Sequence, residues 1–387
     1  MIVTHEERSA LNRNNSRWIE ALVKSGNDPA KIKDIPPIFM VLDLTWECNY
    51  DCRDCIDGGA AGRKPDMPKI PYNIIEDLIG YATKNDVRGL MIMGGEVELY
   101  NDNGKTIDDF FSLVADSSLP ISMVSNGSLL GDHLESAKRI FSRQGSSLRV
   151  SINADRKHYH EQTRSIHTLD SVLRSMHELS KSDVKILVTT VVWGQGAYEQ
   201  LGFENVSQLH NIVADVSATG VTNLLFIPSR DPKTHKNRYL SKQDEDRLNS
   251  LCGNYNGMDV RKAELFDEYK QVSIDSQDKS YSPCPSNLLR ALVGSDCRLY
   301  ACTDHRGEKD AVIGEIKEPG DFAKVWHSAE RVLNQIAFAP TIKCSGIPCM
   351  RYALNRKLAD AIVEYRTAPS QELIEKLLLP ASSSFSF

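Results

Sequence analysis

The chain has 387 residues, 41% of them hydrophobic and 25% charged, a composition that suits a soluble globular protein with room for one large domain and a small one. A formal charge of -6 leaves no overall footprint for nucleic acid or an anionic membrane surface. The N-terminal stretch MIVTHEERSALNRNNSRW is charged throughout, and no later run approaches a membrane span, so a cytoplasmic location is expected.

Residues 1–35 are expected to form a helical extension, and from Ile38 onward short apolar runs alternate with helix-length amphipathic stretches, the pattern of consecutive βα units. Six strands are predicted: IFMVLDLT (38–45), GLMIMGG (89–95), PISMVSN (120–126), SLRVSIN (147–153), VKILVTTVVW (184–193) and TNLLFIP (222–228). Helical patterns lie between them, as in IHTLDSVLRSMHELSK, where Ile166, Leu169, Val172, Leu173, Met176 and Leu179 share one face. Thr106 with Asp109, and Ser241 with Asp244, read as acidic capping boxes. Six units predict an α/β fold built on a partial (β/α)6 TIM-like barrel over 36–235, short of the eight that close one. The polar stretch 236–280 reads as a linker, 281–356 as a small α+β cysteine-bearing domain, and 357–387 as a helix and frayed tail.

Nine cysteines in a reducing compartment argue against disulfides and for metal or redox chemistry. Cys48, Cys52 and Cys55 follow the first predicted strand in C-x3-C-x2-C spacing, on the barrel face where such folds place their chemistry. A structural zinc would want a fourth Cys or His nearby, and IDGGAAGRKPDMP offers neither. Three thiolates can instead hold three irons of a cubane cluster and leave the fourth open to a ligand.

With that motif, about residues 36 to 230 resemble the radical S-adenosylmethionine (radical SAM) superfamily. The resemblance implies a 4Fe-4S cluster on Cys48, Cys52 and Cys55 whose open iron chelates SAM, and reductive cleavage of SAM to a 5'-deoxyadenosyl radical that takes a hydrogen atom from the substrate. Gly94, Gly95 and Glu96 resemble the GGE motif that holds the SAM amino group, and Ser125-Asn126-Gly127 resembles a Thr-Asn-Gly turn of relatives. VSINADRKHYHEQTR resembles a stretch that would set Ser151 at the SAM ribose and Arg164 at its carboxylate. Two positions depart from the pattern: Asp54 replaces the usual apolar residue before the third cysteine, leaving Tyr50 or Ile56 for the adenine, and Asn153 stands where relatives often have Asp. His158 and His160 are expected in a polar, solvent-exposed loop.

Cys284, Cys297, Cys302, Cys344 and Cys349 lie within 66 residues. Cys284-x17-Cys302 followed by Cys344-x4-Cys349 resembles the twitch domain, a shortened SPASM domain, which implies a second, fully ligated auxiliary 4Fe-4S cluster suited to electron transfer; a four-cysteine zinc site is the alternative. Cys252 and Cys297 are left over, as buried packing or as thiols able to return a hydrogen atom to a substrate radical.

The expected activity is oxidation of a sugar, aminocyclitol or other small polar natural-product intermediate, with an electron donor such as flavodoxin or ferredoxin. About 37 residues precede the first strand, too few for a leader-binding domain, which disfavours a ribosomal peptide unless a separate protein binds its leader. Radical epimerisation with Cys252 or Cys297 as hydrogen donor, RNA modification and a non-enzymatic zinc-binding interaction protein are the competing readings. Neither a nucleic-acid nor a membrane partner is expected.

Overall fold

The computed structural model of the chain describes residues 16–52, 55, 67–165, 168–194, 204–229, 240–263, 284–338, 352–370 and 372–373. All six predicted strands are present, as β1 (Phe39–Asp43), β2 (Gly89–Met93), β3 (Ile121–Ser125), β4 (Ser147–Ser151), β5 (Ile186–Val192) and β6 (Asn223–Pro228). They lie parallel, each paired with the next. Every residue of β1 is buried, as expected of a parallel strand covered on both faces.

Helices Tyr72–Lys84, Ile107–Ala115, Leu134–Phe141, Leu169–Ser180 and Leu209–Ser217 follow the first five strands in turn. Each buries the stripe its sequence predicts; in the fourth, Leu169, Val172, Leu173, Met176 and Leu179 are buried. Ile166, expected on the same face, lies outside the described residues. Both capping boxes form, with Asp109 Oδ2 accepting from the Thr106 amide at 2.9 Å and Asp244 Oδ2 from the Ser241 amide at 3.1 Å.

The expected linker needs correction. Within 236–280, residues 240–263 carry helix Lys242–Leu251 and a hairpin of β7 (Gly253–Tyr255) and β8 (Met258–Lys262). β8 pairs in parallel with β6, so the βα repeat continues past the six units. The helix hides in the sequence because only Leu248 and the capping Asp244 are buried, leaving no apolar stripe to read. The turn at Asn256-Gly257 has positive φ at both residues, 51° and 87°, the backbone a two-residue hairpin turn requires.

The cysteine-bearing segment 281–356 also joins the barrel sheet. β9 (Arg290–Val293) lies parallel to β1, with Met40 opposite Ala291 and Val41 opposite Leu292. β10 (Arg298–Tyr300) and β11 (Val312–Glu315) then extend the sheet antiparallel. The order is β11-β10-β9-β1-β2-β3-β4-β5-β6-β8-β7, eight parallel strands flanked on each side by antiparallel ones. The two outer parallel strands, β9 and β8, pair with those flanking strands and not with each other, so the sheet stays open.

Helix Ser16–Ser25 buries Trp18, Ile19, Leu22 and Val23 and packs on helix Tyr352–Thr367, which starts before the boundary expected at 357. Leu358, Ala361 and Ile362 of that helix are buried, so the expected helix belongs to the core, while the expected frayed end lies outside the described residues. Among the described residues no helix is long and apolar enough to cross a membrane.

Candidate active site at the carboxyl ends of the strands

In a parallel sheet the loops after the strands gather on one rim, and here they carry the cysteine motif, the Gly-Gly-Glu turn, the Ser-Asn-Gly turn and the segment after β4. Cys48, Cys52 and Cys55 are all half-buried on the loop that leaves β1. The loop is fastened to the Gly-Gly-Glu turn by backbone bonds: Gly95 N donates to Thr45 O at 2.8 Å, and Glu96 N to Glu47 O at 2.7 Å. This approach requires glycine. A β-carbon on Gly94 would lie 2.3 Å from Thr45 O, and one on Gly95 2.1 Å from Glu47 O, both inside the contact limit of any side chain.

Beneath the loop runs a half-buried polar network. Asn126 Nδ2 donates to Asn49 Oδ1 at 2.9 Å, Asn49 Nδ2 to Ser128 Oγ at 2.8 Å, and Ser128 N back to Asn126 Oδ1 at 2.9 Å. The Tyr50 and Tyr159 hydroxyls meet at 3.0 Å, and burial pushes Tyr50 up to about 12, so both phenols stay neutral. Glu96 is fully buried, its carboxylate accepting from Asn126 N at 2.6 Å and Glu98 N at 3.3 Å. Burial raises Glu96 to about 7 against the pull of those amides, and lifts Glu98, also buried, well above the carboxylate range.

Ser125, at the end of β3, donates its hydroxyl to Glu98 Oε2 at 3.1 Å and accepts from Gly127 N at 2.8 Å. Ser151 ends β4 half-buried, and Asn153 Oδ1 accepts from Val191 N at 2.9 Å, a role that the amide oxygen fills as well as a carboxylate would. Arg164 adopts a left-handed backbone (φ 49°) and pairs with Asp51 at 3.0 Å, one residue before Cys52, while Asp51 N donates to Thr163 O at 2.9 Å. The post-β4 segment is thereby tied to the cysteine loop at three points, through Tyr159, Thr163 and Arg164.

His158 is half-buried with its Nδ1 2.7 Å from Asp155, which corrects the expected solvent exposure there. His160 is exposed as expected, and its Nδ1 lies 2.5 Å from Ser165 O. Asp155 is 4% exposed; burial would raise it, but hydrogen bonds from Asn211 and His158 prevail and hold it below the usual range.

The second cysteine set is described in part. Cys284 caps helix Pro285–Leu288 and Cys302 follows β10, while Cys344 and Cys349, like Asp54 and Ile56, lie outside the described residues. Cys297 occupies the β9–β10 turn with φ 60°, and burial pushes its thiol up to about 11. Cys252 ends helix Lys242–Leu251 and donates its thiol to Leu248 O at 3.4 Å.

Two features were not read from the sequence. Asp43, fully buried at the end of β1, accepts from Trp46 Nε1 at 2.8 Å and lies 3.7 Å from Arg306 of the segment after Cys302. Glu98 is the other. In each case the signal available was a carboxylate inside an otherwise apolar run, FMVLDLTW and MIMGGEVELY.

The donor set fits the group that the motif asks for. Three soft thiols leave one short loop, and Tyr50 N points at Cys48 Sγ at 3.4 Å, a donor placed for a ligating sulfur. Among the described residues no three Cys, His, Asp or Glu side chains converge to hold a single ion. A cubane makes no such demand, because each thiolate binds a different iron.

No curated protein sequence matches the chain. Among solved structures, Streptococcus suis SuiB bound to precursor peptide SuiA aligns with TM-score 0.54 at 15% identity, over 76% of this chain and 65% of that one. The chain thus spans just under two thirds of SuiB. anSMEcpe with bound AdoMet aligns with TM-score 0.53 at 16% identity, over 88% of this chain and 98% of that one. anSMEcpe with AdoMet and Cp18Cys peptide gives 0.52 at 15%, over 88% and 99%. At these identities the likeness is one of fold. The family profile described as the Radical SAM superfamily matches residues 44–198, from the end of β1 past β5, which takes in the cysteine loop, both turns and the post-β4 segment. Residues 44–198 are thus similar to the radical SAM superfamily, whose cofactors are a 4Fe-4S cluster and S-adenosylmethionine.

Proposed function

We propose that the chain is a radical SAM oxidoreductase that removes a hydrogen atom from a substrate carbon and completes a two-electron oxidation. The observation that carries this reading is the joining of the Cys48–Cys55 loop to Glu96 through two backbone bonds across glycines that admit no β-carbon. Cys48, Cys52 and Cys55 would hold the SAM-binding cluster; Glu96 would accept from the SAM ammonium; Ser151 would face the ribose and Arg164 the carboxylate. When bound, the cluster supplies the electron for SAM cleavage and SAM the hydrogen acceptor. Gly94 and Gly95 let the two loops meet, Ser125 and Asn126 orient the acidic groups, and Tyr50 and Tyr159 wall them off from water.

Oxidation has to dispose of a proton and a second electron after the hydrogen atom has left. Cys284, Cys302, Cys344 and Cys349 would hold an auxiliary 4Fe-4S cluster to take that electron, in a twitch-like segment whose strands β9 to β11 extend the barrel sheet. An electron donor such as flavodoxin or ferredoxin would serve the first cluster. The substrate read first is a sugar, aminocyclitol or other small polar intermediate; a peptide is the second reading, supported by the peptides bound to SuiB and anSMEcpe.

The test is anaerobic turnover of reconstituted enzyme against both substrate classes in deuterated water. Oxidation predicts a product short of two hydrogens, one 5'-deoxyadenosine per turnover, and no change with Cys252→Ala or Cys297→Ala. A product of unchanged composition carrying one solvent deuterium, lost in one of those variants, would replace oxidation by epimerisation.

A further inference from the structure

Glu98 is a buried acid to which the proposed chemistry assigns no part. It stands two residues past Glu96 in the turn Val97–Leu99 and is 6% exposed. Its Oε2 accepts from Ser125 Oγ at 3.1 Å. Its Oε1 is buried and accepts from no donor among the described residues. The Glu96 carboxylate lies against the same turn: Ser125 donates to Glu98, and the amide of the next residue, Asn126, donates to Glu96 at 2.6 Å. Two carboxyl groups out of water and in contact cannot both ionise, and an oxygen with no donor facing a carboxylate is satisfied if it carries the proton itself.

We propose that Glu98 is a positioning residue, held as a neutral carboxylic acid whose Oε1 hydroxyl donates to Glu96, so that the pair carries one negative charge and Glu96 bears it. The groups facing the pair are consistent with this. The β3 strand and its loop contribute the Ser125 hydroxyl and the Asn126 and Leu129 amides, the cysteine loop contributes Tyr50, and the post-β4 helix contributes Tyr159. None of these brings a positive charge. Helix Ile107–Ala115 packs on the same turn, but its Asp108 pairs with His133 and its Asp109 with Lys105 and the Thr106 cap. Burial raises both acids, opposed at Glu96 by the Asn126 and Glu98 amides.

The role of Glu98 toward SAM rests on Glu96 being the ammonium acceptor; its protonation does not. Infrared spectra at about pH 8 test the protonation: the carbonyl band of a buried neutral acid is expected in the wild type and absent from Glu98→Gln, and a wild type without the band overturns the proposal. Calorimetric SAM binding by reconstituted protein, from about pH 5.5 to 8.5, tests the positioning. Wild-type affinity is expected to fall about tenfold per pH unit below about 7, as binding has to displace the Glu96 proton. Glu98→Gln, whose amide still donates, should keep that profile within about twofold. Glu98→Leu, which fills the space without a donor, should bind SAM at least about tenfold more weakly at pH 7, a change of about 1.4 kcal/mol, with its inflection moved to higher pH. A Glu98→Leu profile matching that of Glu98→Gln overturns the positioning role. If the infrared band is present while no protein shows pH-dependent binding, the Glu98 proton stands and the assignment of Glu96 to the ammonium falls.

Discussion

Gly95 holds its place because the Glu47 carbonyl oxygen would lie 2.1 Å from any β-carbon there. Gly95→Ala is therefore expected to push the cysteine loop off the turn, lowering stability by about 2 kcal/mol or more and abolishing stable iron loading, as iron assay and denaturant unfolding would reveal. Gly80, in the middle of helix Tyr72–Lys84, has nothing within 4 Å of its would-be β-carbon. Gly80→Ala should stabilise by about 0.5–1 kcal/mol and leave iron content unchanged. Glu96 yields a prediction with a defined sign. A glutamate in the unfolded chain ionises near 4.5, whereas folded Glu96 keeps its proton up to about 7, so its contribution is complete below pH 4.5 and is lost as pH rises through 7. Compared with Glu96→Gln, the wild-type protein without cofactors should lose about 3 kcal/mol of unfolding free energy between about pH 4.5 and 8. Parallel stability curves for the two proteins would contradict this. The Gly-Gly-Glu turn was legible from its residues, but the acid pair was not, because only folding shows that Glu98 turns inward and buries Oε1 without a hydrogen-bond partner among the described residues.

The loop that leaves β1 shows how far an element can be read from its own residues. FMVLD announces a buried strand, and the spacing of Cys48, Cys52 and Cys55 announces the ligand loop, but nothing local says what Asp43 meets. Its partners are Trp46, three residues on, and Arg306, whose side chain is 8% exposed and which follows Cys302 by four positions. A buried ion pair thus joins the root of the cysteine loop to the segment of the second cysteine set. Removing one member of such a pair leaves the other charge buried, at about 3–5 kcal/mol. Arg306→Ala should lower the unfolding free energy by that order in denaturant titration, whereas an exposed pair such as Lys242 with Asp246, at 2.8 Å, should cost under about 1 kcal/mol when broken. The hairpin β7–β8 was legible in principle from Asn256-Gly257. Helix Lys242–Leu251 announced only its start, through the Ser241–Asp244 capping box, since its burial comes from tertiary packing with no apolar stripe to signal the rest.

At the scale of the whole molecule, local periodicity revealed the six strands whose helices follow them, and missed the two that complete the row of eight. β9 was hidden because its partner is distant in sequence, with Met40 opposite Ala291, and parallel pairing across such a gap leaves no local pattern. β8 was hidden behind a polar helix and a charged stretch. The consequence is that the cysteine-bearing segment is an extension of the barrel sheet and not a separate body beyond a linker. The proposed chemistry requires Cys48, Cys52 and Cys55 to hold a SAM-cleaving cluster at the rim of that sheet. The direct measurement is the iron and sulfide content of anaerobically reconstituted protein, beside the Cys48/Cys52/Cys55→Ala variant, with reductive SAM cleavage assayed in both. About eight irons should fall to about four, with 5'-deoxyadenosine formation lost in the variant. Zinc in place of iron, or SAM cleavage untouched by the triple substitution, would contradict that chemistry.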